Sequence, residues 1–417
     1  MDELLSPDQL LERVRDQYMG SRDFNGYPIR GGNMDATRDA AAELIRDGLI
    51  QAVSTKDFLN PHIRPWQSRR SIEDQTDEIR ALTPESDTVC LYPTKLGMKG
   101  VRLPKRLMER PFERMMAKGQ GTLELAFFQM DVLEAYRNDS RYDFQFGDAG
   151  AHMHVSDEAY LDTDEPSHDK VSLSHIGFAY DFETLDFEDS DSPIIRRVAV
   201  FLGDLAKLSP QHQQRWNTYR VNEPNLHPHP LWWGQQMGEW ADGVGPFGRL
   251  FIELRNINEL TTNAFGSAMF ASIKRPEDLG WLLRPSSKEW DGFISLLDKI
   301  LSENLRKAFF DEAEIPSQDN GQPIGTLNRL RLFMCAHGVS QENSLSALKP
   351  LKDIRKARQR PAHALNKNIT DRTFIRRQIT LLHDVNETLV SIRKWLATHP
   401  ANHHWESRFA NLKDYAF

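Results

Sequence analysis

Apolar residues recur at helical spacing through the last third of the chain. One stripe follows Ser286 and runs from Phe293 to Phe309, a second follows Thr326, a third runs through Leu351, and a fourth follows Thr370. Residues three and four apart share one face of a helix, so each stripe predicts an amphipathic helix. Four such helices with moderate connections predict an antiparallel four-helix bundle over residues 281–417.

Several residues mark the expected ends of these helices. Ser286 and Glu289 match a capping box, which predicts the start of the first helix. Thr370 is the expected cap of the fourth helix, and Pro400 is its expected stop. Pro350 either kinks the third helix or begins a new one.

The beginning of the chain predicts a helix followed by a short strand. Asn33 and Asp35 can cap a helix that Gly48 ends, and the next residues are rich in β-forming types. This order is reminiscent of a winged helix. Burial of Leu44 and its apolar neighbours in any small helical domain explains the pattern equally well.

Four apolar runs in the middle of the chain predict strands, because they combine aromatic and β-branched residues and are bounded by turn-forming residues. They are TVCLYP, TLELAFFQMDVL, VSLSHIGFAY and RRVAVFLGDL. The predicted fold class is therefore α+β. We expect a helical, winged-helix-like segment at 1–85, a mixed α+β sensor or binding domain at 86–275, and the helical bundle at 281–417.

Composition indicates a globular chain outside the membrane. The mean hydropathy is −0.57, and no apolar run approaches the roughly 18–20 residues that span a bilayer. The acidic, amphipathic N-terminus does not resemble a signal peptide. Cys90 and Cys335 lie far apart and form no metal or redox motif. We therefore expect a cytoplasmic protein.

Charge is distributed unevenly along the chain. The net charge is −8, yet residues 281–417 hold 21 Lys and Arg against 15 Asp and Glu. Between Lys349 and Arg377 the count is ten basic to two acidic residues. A basic segment in an acidic protein indicates a polyanionic partner, although a solvated helix face would give the same pattern.

One arginine breaks the apolar pattern of the third helix. Arg358 continues the line of Leu351 and Ile354, which turns its guanidinium toward a packed face where a charge needs a partner. Pro361 then ends or kinks the helix, and His363 follows. Arginine binds phosphate oxygens with a fixed fork of donors, and histidine can transfer a proton near neutral pH. The pair therefore suits cleavage of RNA, whose 2′-hydroxyl can serve as the nucleophile without a metal.

The string IRKARQRPAHAL, from Ile354 to Leu365, resembles the Arg-x(4–6)-His motif of the HEPN superfamily. The resemblance covers about 130 of the 417 residues. It implies a bundle of four or five helices, a two-fold dimer and metal-independent cleavage of RNA by Arg358 and His363. Active members commonly carry Asn, Asp or His after the arginine, where this chain has Gln359.

Other residues near the motif extend the predicted site. Arg355, Gln359 and Arg360 are expected to support the pair or to bind phosphate. The spacing alone is not specific, and Arg358 with His363 is favoured by its place in the bundle and in the basic segment. The alternative is that Arg358 pairs with a carboxylate and His363 merely ends a helix. Rival pairs with similar spacing are Arg220–His227, Arg331–His337, Arg376 or Arg377 with His383, and Arg393–His399.

The upstream sequence resembles an uncharacterised bacterial family of similar length, through RNDSRYDF, VAVFLGDLAKLSPQHQQRW and LLRPSSKEW. Bacterial chains built this way often act in stress or phage defence, where the front half senses a trigger and the back half cuts RNA. The resemblance thus implies a homodimeric endoribonuclease, a hydrolase without a cofactor, that responds to an unknown trigger or partner protein. The rival interpretation is a non-catalytic HEPN-like dimerisation module whose N-terminal part binds nucleic acid.

Other kinds of site have weaker support. His152 and His154 would share one face of a strand near Asp157 and the carboxylates of residues 162–165, which makes them weak candidates for a metal site. No metal is expected in the proposed reaction. The chain contains neither a phosphate-binding Gly-rich loop with its lysine nor a Gly-x-Ser-x-Gly nucleophile motif.

Overall fold

The computed structural model describes residues 4–20, 24–30, 32–155, 172–183, 194–239, 243–359 and 367–416. Within these residues the chain is a mixture of helices and strands, as predicted. The helices are α1 (Pro7–Gly20), α2 (Met34–Arg46), α3 (Ile72–Ala81), α4 (Pro111–Ala117), α5 (Glu134–Arg137), α6 (Leu202–Lys207), α7 (Pro210–Thr218), α8 (Pro230–Gln236), α9 (Pro246–Phe265), α10 (Ser287–Asp298), α11 (Lys307–Glu312), α12 (Thr326–Ala336), α13 (Gln341–Ala347), α14 (Lys349–Gln359) and α15 (Thr373–Ala397). None of them is long and apolar enough to cross a membrane.

The strands are mostly short. They are β1 (Tyr27–Ile29), β2 (Ile50–Val53), β3 (Val89–Pro93), β4 (Leu125–Phe128), β5 (Tyr142–Phe146), β6 (Gly150–Val155), β7 (Ser172–Asp181), β8 (Arg196–Phe201), β9 (Arg220–Val221), β10 (Leu226–Pro228), β11 (Gly243–Val244), β12 (Gln318–Asp319), β13 (Gln322–Pro323) and β14 (Lys413–Asp414). The four predicted strand runs correspond to β3, β4, β7 and β8. The second run is a strand only as far as Phe128, because a 3₁₀ turn follows at Met130–Leu133.

The chain folds into two compact units that alternate along the sequence. Unit 1 comprises residues 1–128, 157–175 and 199–222, and unit 2 comprises residues 129–156, 176–198 and 223–417. In unit 1, β3 lies between β1 and β2 in an antiparallel sheet. Its five residues are all buried, as a central strand requires. Helices α1, α2 and α3 contribute to the apolar core beside this sheet.

The helix and strand predicted after Asn33 are confirmed in unit 1 as α2 and β2, but the Asn33 side chain does not cap the helix, because its Oδ1 accepts from the Arg30 N–H. Helix α2 begins after Asn33, and Gly48 ends its last turn with a φ of +69°, a left-handed conformation that glycine adopts without strain. Strand β2 follows at once. The finer winged-helix comparison remains a prediction.

One buried arginine holds both ends of the segment 95–118 in unit 1. Arg64 is only 3% exposed. Its guanidinium donates to the Pro93 carbonyl at 3.1 Å and to the Gly119 carbonyl at 2.7 Å. The same group lies 5.1 Å from the centre of the Tyr92 ring, which adds a cation–π contact. The two ends of this 24-residue segment are therefore fixed to a single rigid group.

In unit 2, the long helices α9 and α15 pack against each other. A buried ion pair connects them, because Arg393 donates to Glu253 at 2.6 Å and Glu253 is only 1% exposed. Helix α10 packs against α14, and α14 against α15. The sheet of this unit includes the antiparallel hairpin of β5 and β6, and β10 pairs with β7. The C-terminal part of the chain is thus helical, as predicted.

The stripe after Ser286 does not form one continuous helix, which corrects the prediction. Helix α10 ends at Asp298 and continues as a π-helical turn over Lys299–Glu303. The chain then leaves the helix because the Asn304 side chain bonds both backbone groups of Ser272, each at 2.8 Å. Phe309 therefore lies on the separate helix α11.

Two helix starts in this region also differ from their predicted form. The Ser286 hydroxyl accepts from the Glu289 N–H, as a capping box requires, but the Glu289 carboxylate accepts from Leu283. Thr370 does not cap α15, because Thr370 forms a β-bridge with Ser286. The Asp371 carboxylate accepts from the Thr373 N–H instead.

The third predicted helix is two helices. Helix α13 ends at Ala347, and α14 begins at Lys349 with Pro350 in its first turn. Proline fits this position because the first N–H groups of a helix have no partner within the helix. Of the two predicted roles, Pro350 therefore begins a new helix.

The two cysteines should differ sharply in reactivity. Burial raises the pKa of the Cys90 thiol to about 12, whereas Cys335 is half-buried. Since the thiolate is the reactive form, we expect Cys335 to react with a disulfide reagent at pH 8 at least about 100-fold faster than Cys90. Absorbance of the released thiol would show one rapid equivalent in the native chain and two in denaturant. The Cys335→Ser variant should lose the rapid equivalent, and a rapid reaction in that variant would contradict the burial of Cys90.

Candidate functional site

Arg358 lies near the end of α14, four residues beyond the buried Ile354. Its Nη1 donates to the Asp298 carboxylate at 2.7 Å and also to the Glu303 carboxylate. Hydrogen bonds to Glu303 and Asp298 raise the pKa of the Arg358 guanidinium. The expectation that this arginine needs a partner is thus confirmed: two carboxylates hold it.

Asp298 is the buried part of this cluster. Its side chain is fully buried at the end of α10, where a carboxylate is stable only when it is paired. Arg358 supplies the close partner, and Arg355 lies 3.6 Å away through its own Nη1. Neither the Asp298 Oδ1 nor the Arg355 Nη1 has a hydrogen-bond partner within the described residues. The cluster is therefore charged and tightly packed, and part of its hydrogen-bonding capacity is unused.

The π-helical turn brings the two carboxylates to the same guanidinium. Asp298 immediately precedes the turn and Glu303 is its last residue. A π-helix has more residues per turn than an α-helix, so residues five apart share a face within it. Short π-helical segments occur frequently at functional sites. Local backbone geometry thus accounts for the double carboxylate contact of Arg358.

One edge of the Arg358 guanidinium is not used. Both of its hydrogen bonds start from Nη1, and neither Nε nor Nη2 donates to any of the residues that the structure describes. The side chain is 32% exposed. Nε–H and Nη2–H form the parallel pair of donors that matches two oxygens of a phosphate or carboxylate. Arg358 is therefore held on one side and able to bind an anion on the other.

The remaining predicted residues of the motif are only partly described. Gln359 is exposed at the last position of α14, and Arg355 is half-buried beside Asp298. Arg360 and His363 lie outside the described residues, so the structure does not report the distance between Arg358 and His363.

The weak metal candidates are on β6. His152 and His154 are both exposed, and the His154 Nε2 lies 3.1 Å from the Asp143 carboxylate on β5. Asp157 and residues 162–165, which were expected nearby, lie outside the described residues. Within the described part of the chain, no group of three or more His, Cys, Asp or Glu residues is arranged to hold a metal ion.

Asp298 and Glu303 are the site residues that the sequence reasoning missed. Asp298 interrupts an apolar stripe, since it lies directly after Leu297 and four residues after the buried Ile294. A carboxylate on a buried helix face signals a cationic partner elsewhere in the chain. Asp298 and Arg358 are thus two opposite charges, each on an apolar helix face, and each indicates the need for the other.

No protein-family model, curated protein or solved structure matches the chain. The role of the Arg358 cluster therefore has to be inferred from its own geometry and chemistry.

Proposed function

We propose that the chain is a metal-independent endoribonuclease that acts as a homodimer, with Arg358 and His363 as its catalytic residues. One observation carries the proposal. Arg358 is fixed through Nη1 by two carboxylates, while its Nε and Nη2 donate to none of the described residues and its side chain is partly exposed.

Arg358 binds the scissile phosphate through the Nε and Nη2 edge of its guanidinium. Asp298 and Glu303 hold the guanidinium in one orientation, so little side-chain freedom is lost when the phosphate binds. The two carboxylates also repel a phosphate. The basic segment offsets this repulsion, since residues 349–377 contain ten Lys and Arg against two Asp and Glu.

His363 transfers the protons of the reaction. It removes the proton from the RNA 2′-hydroxyl, whose oxygen then attacks the adjacent phosphorus. The bond from phosphorus to the 5′-oxygen breaks, and that oxygen takes a proton from a second acid. In a two-fold dimer the partner's His363 supplies this acid. The products are a 2′,3′-cyclic phosphate and a 5′-hydroxyl, and neither an oxidant nor a metal is consumed.

The helices α10, α12, α14 and α15 supply the HEPN-like bundle of this proposal. Helix α14 packs against both α10 and α15, and the Arg358 cluster lies where α14 meets α10. The remaining part of the chain is proposed to sense the trigger or partner in a bacterial defence or stress response. The proposed enzyme works in the cytoplasm.

Incubation of the purified chain with single-stranded RNA in the presence of EDTA tests the activity. We expect endonucleolytic fragments with 2′,3′-cyclic phosphate and 5′-hydroxyl ends. An RNA whose nucleotides carry 2′-O-methyl groups should remain intact, because it lacks the nucleophile. Fragments with 5′-phosphate ends, or cleavage that requires Mg²⁺, would contradict the proposed mechanism.

The rival function is a non-catalytic interaction module. The double carboxylate contact favours it, because a guanidinium paired with Asp298 and Glu303 can serve structure alone. In that case the winged-helix-like segment at 1–85 would bind DNA. Retention of duplex DNA on a gel, with no cleavage of any RNA supplied, is the result expected from this rival.

A further inference from the structure

A pocket of about 900 Å³ lies in unit 1, within the segment that Arg64 holds at both ends. Its walls come from the turn after β3, the 3₁₀ turn Lys105–Met108, and α4. Pockets of roughly 300–1,000 Å³ are typical of small-molecule sites. Residues 95–118 carry eight Lys and Arg against two Asp and Glu, which makes this a strongly basic part of an acidic chain.

Four cationic side chains line the pocket: Lys95, Lys99, Arg114 and Lys118. No Asp or Glu is among the lining residues. None of the four cations forms an ion pair or a side-chain hydrogen bond with the residues that the structure describes. The nearest carboxylate to the lining that a hydrogen bond marks is Glu124, which accepts from the Gln120 side chain at 3.0 Å. Four positive charges against this one carboxylate attract anions to the site.

The acidic residues of the segment do not compensate this pocket. Glu113 pairs with Arg106 and Arg110, and none of these three residues lines it. Glu109 is exposed and also lies outside the lining. Arg106 and Arg110 are thus neutralised by a carboxylate, whereas the four lining cations have no such partner among the described residues.

The rest of the lining is aliphatic. Leu96 is 51% exposed and Met108 is 70% exposed, which is unusual for large apolar side chains, and Val101 and Leu103 lie beside them. No aromatic side chain lines the pocket, so it offers no surface for stacking a nucleobase. A ligand with an anionic group and an aliphatic group would match both the cationic and the aliphatic residues of the lining.

We propose that this pocket binds a soluble amphiphilic phosphate, a small molecule that joins an aliphatic group to phosphate groups carrying at least two negative charges. The cations bind the phosphates, and Leu96 and Met108 cover the aliphatic group. The lining reaches inward to the buried Met98 and Leu107, and this depth favours a free molecule over a membrane surface. The proposal does not depend on the RNA activity, because the pocket lies in unit 1 and the Arg358 cluster lies in unit 2.

Calorimetric titration of the full chain with geranyl diphosphate and with inorganic pyrophosphate tests the proposal. We expect both to bind, with geranyl diphosphate at least about 10-fold tighter because of its buried aliphatic surface. ATP carries a triphosphate but no aliphatic group and should bind more weakly than geranyl diphosphate. Equal affinity for geranyl diphosphate and pyrophosphate, or no binding of either, would overturn the proposal.

Two matched double variants separate a built site from diffuse charge. Lys95→Gln with Lys99→Gln removes two exposed lining cations, and we expect at least about a 10-fold loss of affinity for geranyl diphosphate. Arg102→Gln with Lys105→Gln removes the same charge from exposed positions outside the lining, and its affinity should change less than about 3-fold. Equal losses in the two variants would show that no specific site exists.

The aliphatic contact and the soluble nature of the ligand need separate tests. Leu96→Asn should weaken the binding of geranyl diphosphate and leave the affinity for pyrophosphate unchanged. Equal losses of affinity for the two compounds would contradict the aliphatic contact. Flotation with vesicles that contain phosphatidic acid tests the membrane alternative. Two results together would show that the ligand is a lipid surface and not a soluble molecule. The chain would bind the vesicles but not geranyl diphosphate, and Lys95→Gln with Lys99→Gln would abolish the vesicle binding.

Discussion

Arg358→Lys is expected to lower the rate of RNA cleavage by about 100-fold or more while the chain stays folded. Lysine has a single ammonium group, which Asp298 and Glu303 would occupy as they now occupy the Arg358 Nη1. The third N–H of the ammonium would be a single donor, which cannot replace the parallel Nε–H and Nη2–H pair that binds two phosphate oxygens. Because the charge beside the buried Asp298 is kept, the unfolding midpoint in urea should change little. Rates of cleavage of a fluorescent RNA give the measurement.

Arg331→Lys is the matched control for that variant. Arg331 belongs to a rival Arg–His spacing and makes no ion pair with the described residues, so its replacement should leave cleavage unchanged. The histidine is tested in the same way: His363→Ala should abolish cleavage, and His383→Ala, at an exposed position on α15, should not. Full activity in either Arg358→Lys or His363→Ala would remove that residue from the mechanism.

Gly97→Ala is expected to destabilise unit 1 by about 3 kcal/mol. A Cβ at Gly97 would clash with the Leu49 carbonyl oxygen and lie 2.9 Å from its carbon. Leu49 cannot move away easily, because its N–H bonds to Leu44 and its carbonyl accepts from the Thr94 N–H, at 2.9 and 3.0 Å. The Gly97 carbonyl also accepts from the Arg15 Nε at 2.7 Å. The clash therefore involves backbone that several contacts hold in place.

The loss of stability can be read from Cys90, which is buried in unit 1. In a Cys335→Ser background, its labelling rate below the unfolding transition reports how often unit 1 opens, and Gly97→Ala should raise it by about 100-fold. Gly20→Ala serves as the control, since outside its own helix no atom of the described residues lies within 4 Å of the added Cβ at the end of α1. Similar labelling rates in the two variants would show that the Leu49 backbone yields to the new methyl group.

The sequence correctly predicted those helices and strands that are determined by residues close together in the chain. Strand β3 is a short apolar run between turn-forming residues, and the end of α2 depends on the left-handed conformation of Gly48. The amphipathic stripes of α10, α14 and α15 likewise predicted helices in the correct places. In each case the determining interactions lie within a few residues of the chain.

Features that depend on distant residues could not be predicted in this way. The apolar period continues from Leu297 to Phe309, yet the chain leaves the helix because Asn304 bonds to Ser272 in another segment. The alternation of the two units along the sequence also depends on which strands pair, and this does not follow from any one strand.

The candidate site was predicted only in part for the same reason. Arg358 was identified because a charge on an apolar helix face is anomalous, but its partners Asp298 and Glu303 lie more than 50 residues earlier. The excess of basic residues in 95–118 could also have been found by counting charges along the chain. Its significance appears only when four of its cations line one pocket without carboxylates.

The Arg64 contacts have a consequence for how this chain can diverge in evolution. Arg64 binds main-chain carbonyls of residues 93 and 119, and any amino acid at those two positions can present a carbonyl. The pocket-lining positions between them can therefore vary without removing the group that closes the segment, whereas Gly97, which packs against the Leu49 carbonyl, has to be kept. Among descendants of this gene, we expect the lining of the pocket to vary with the ligand while Arg64 persists.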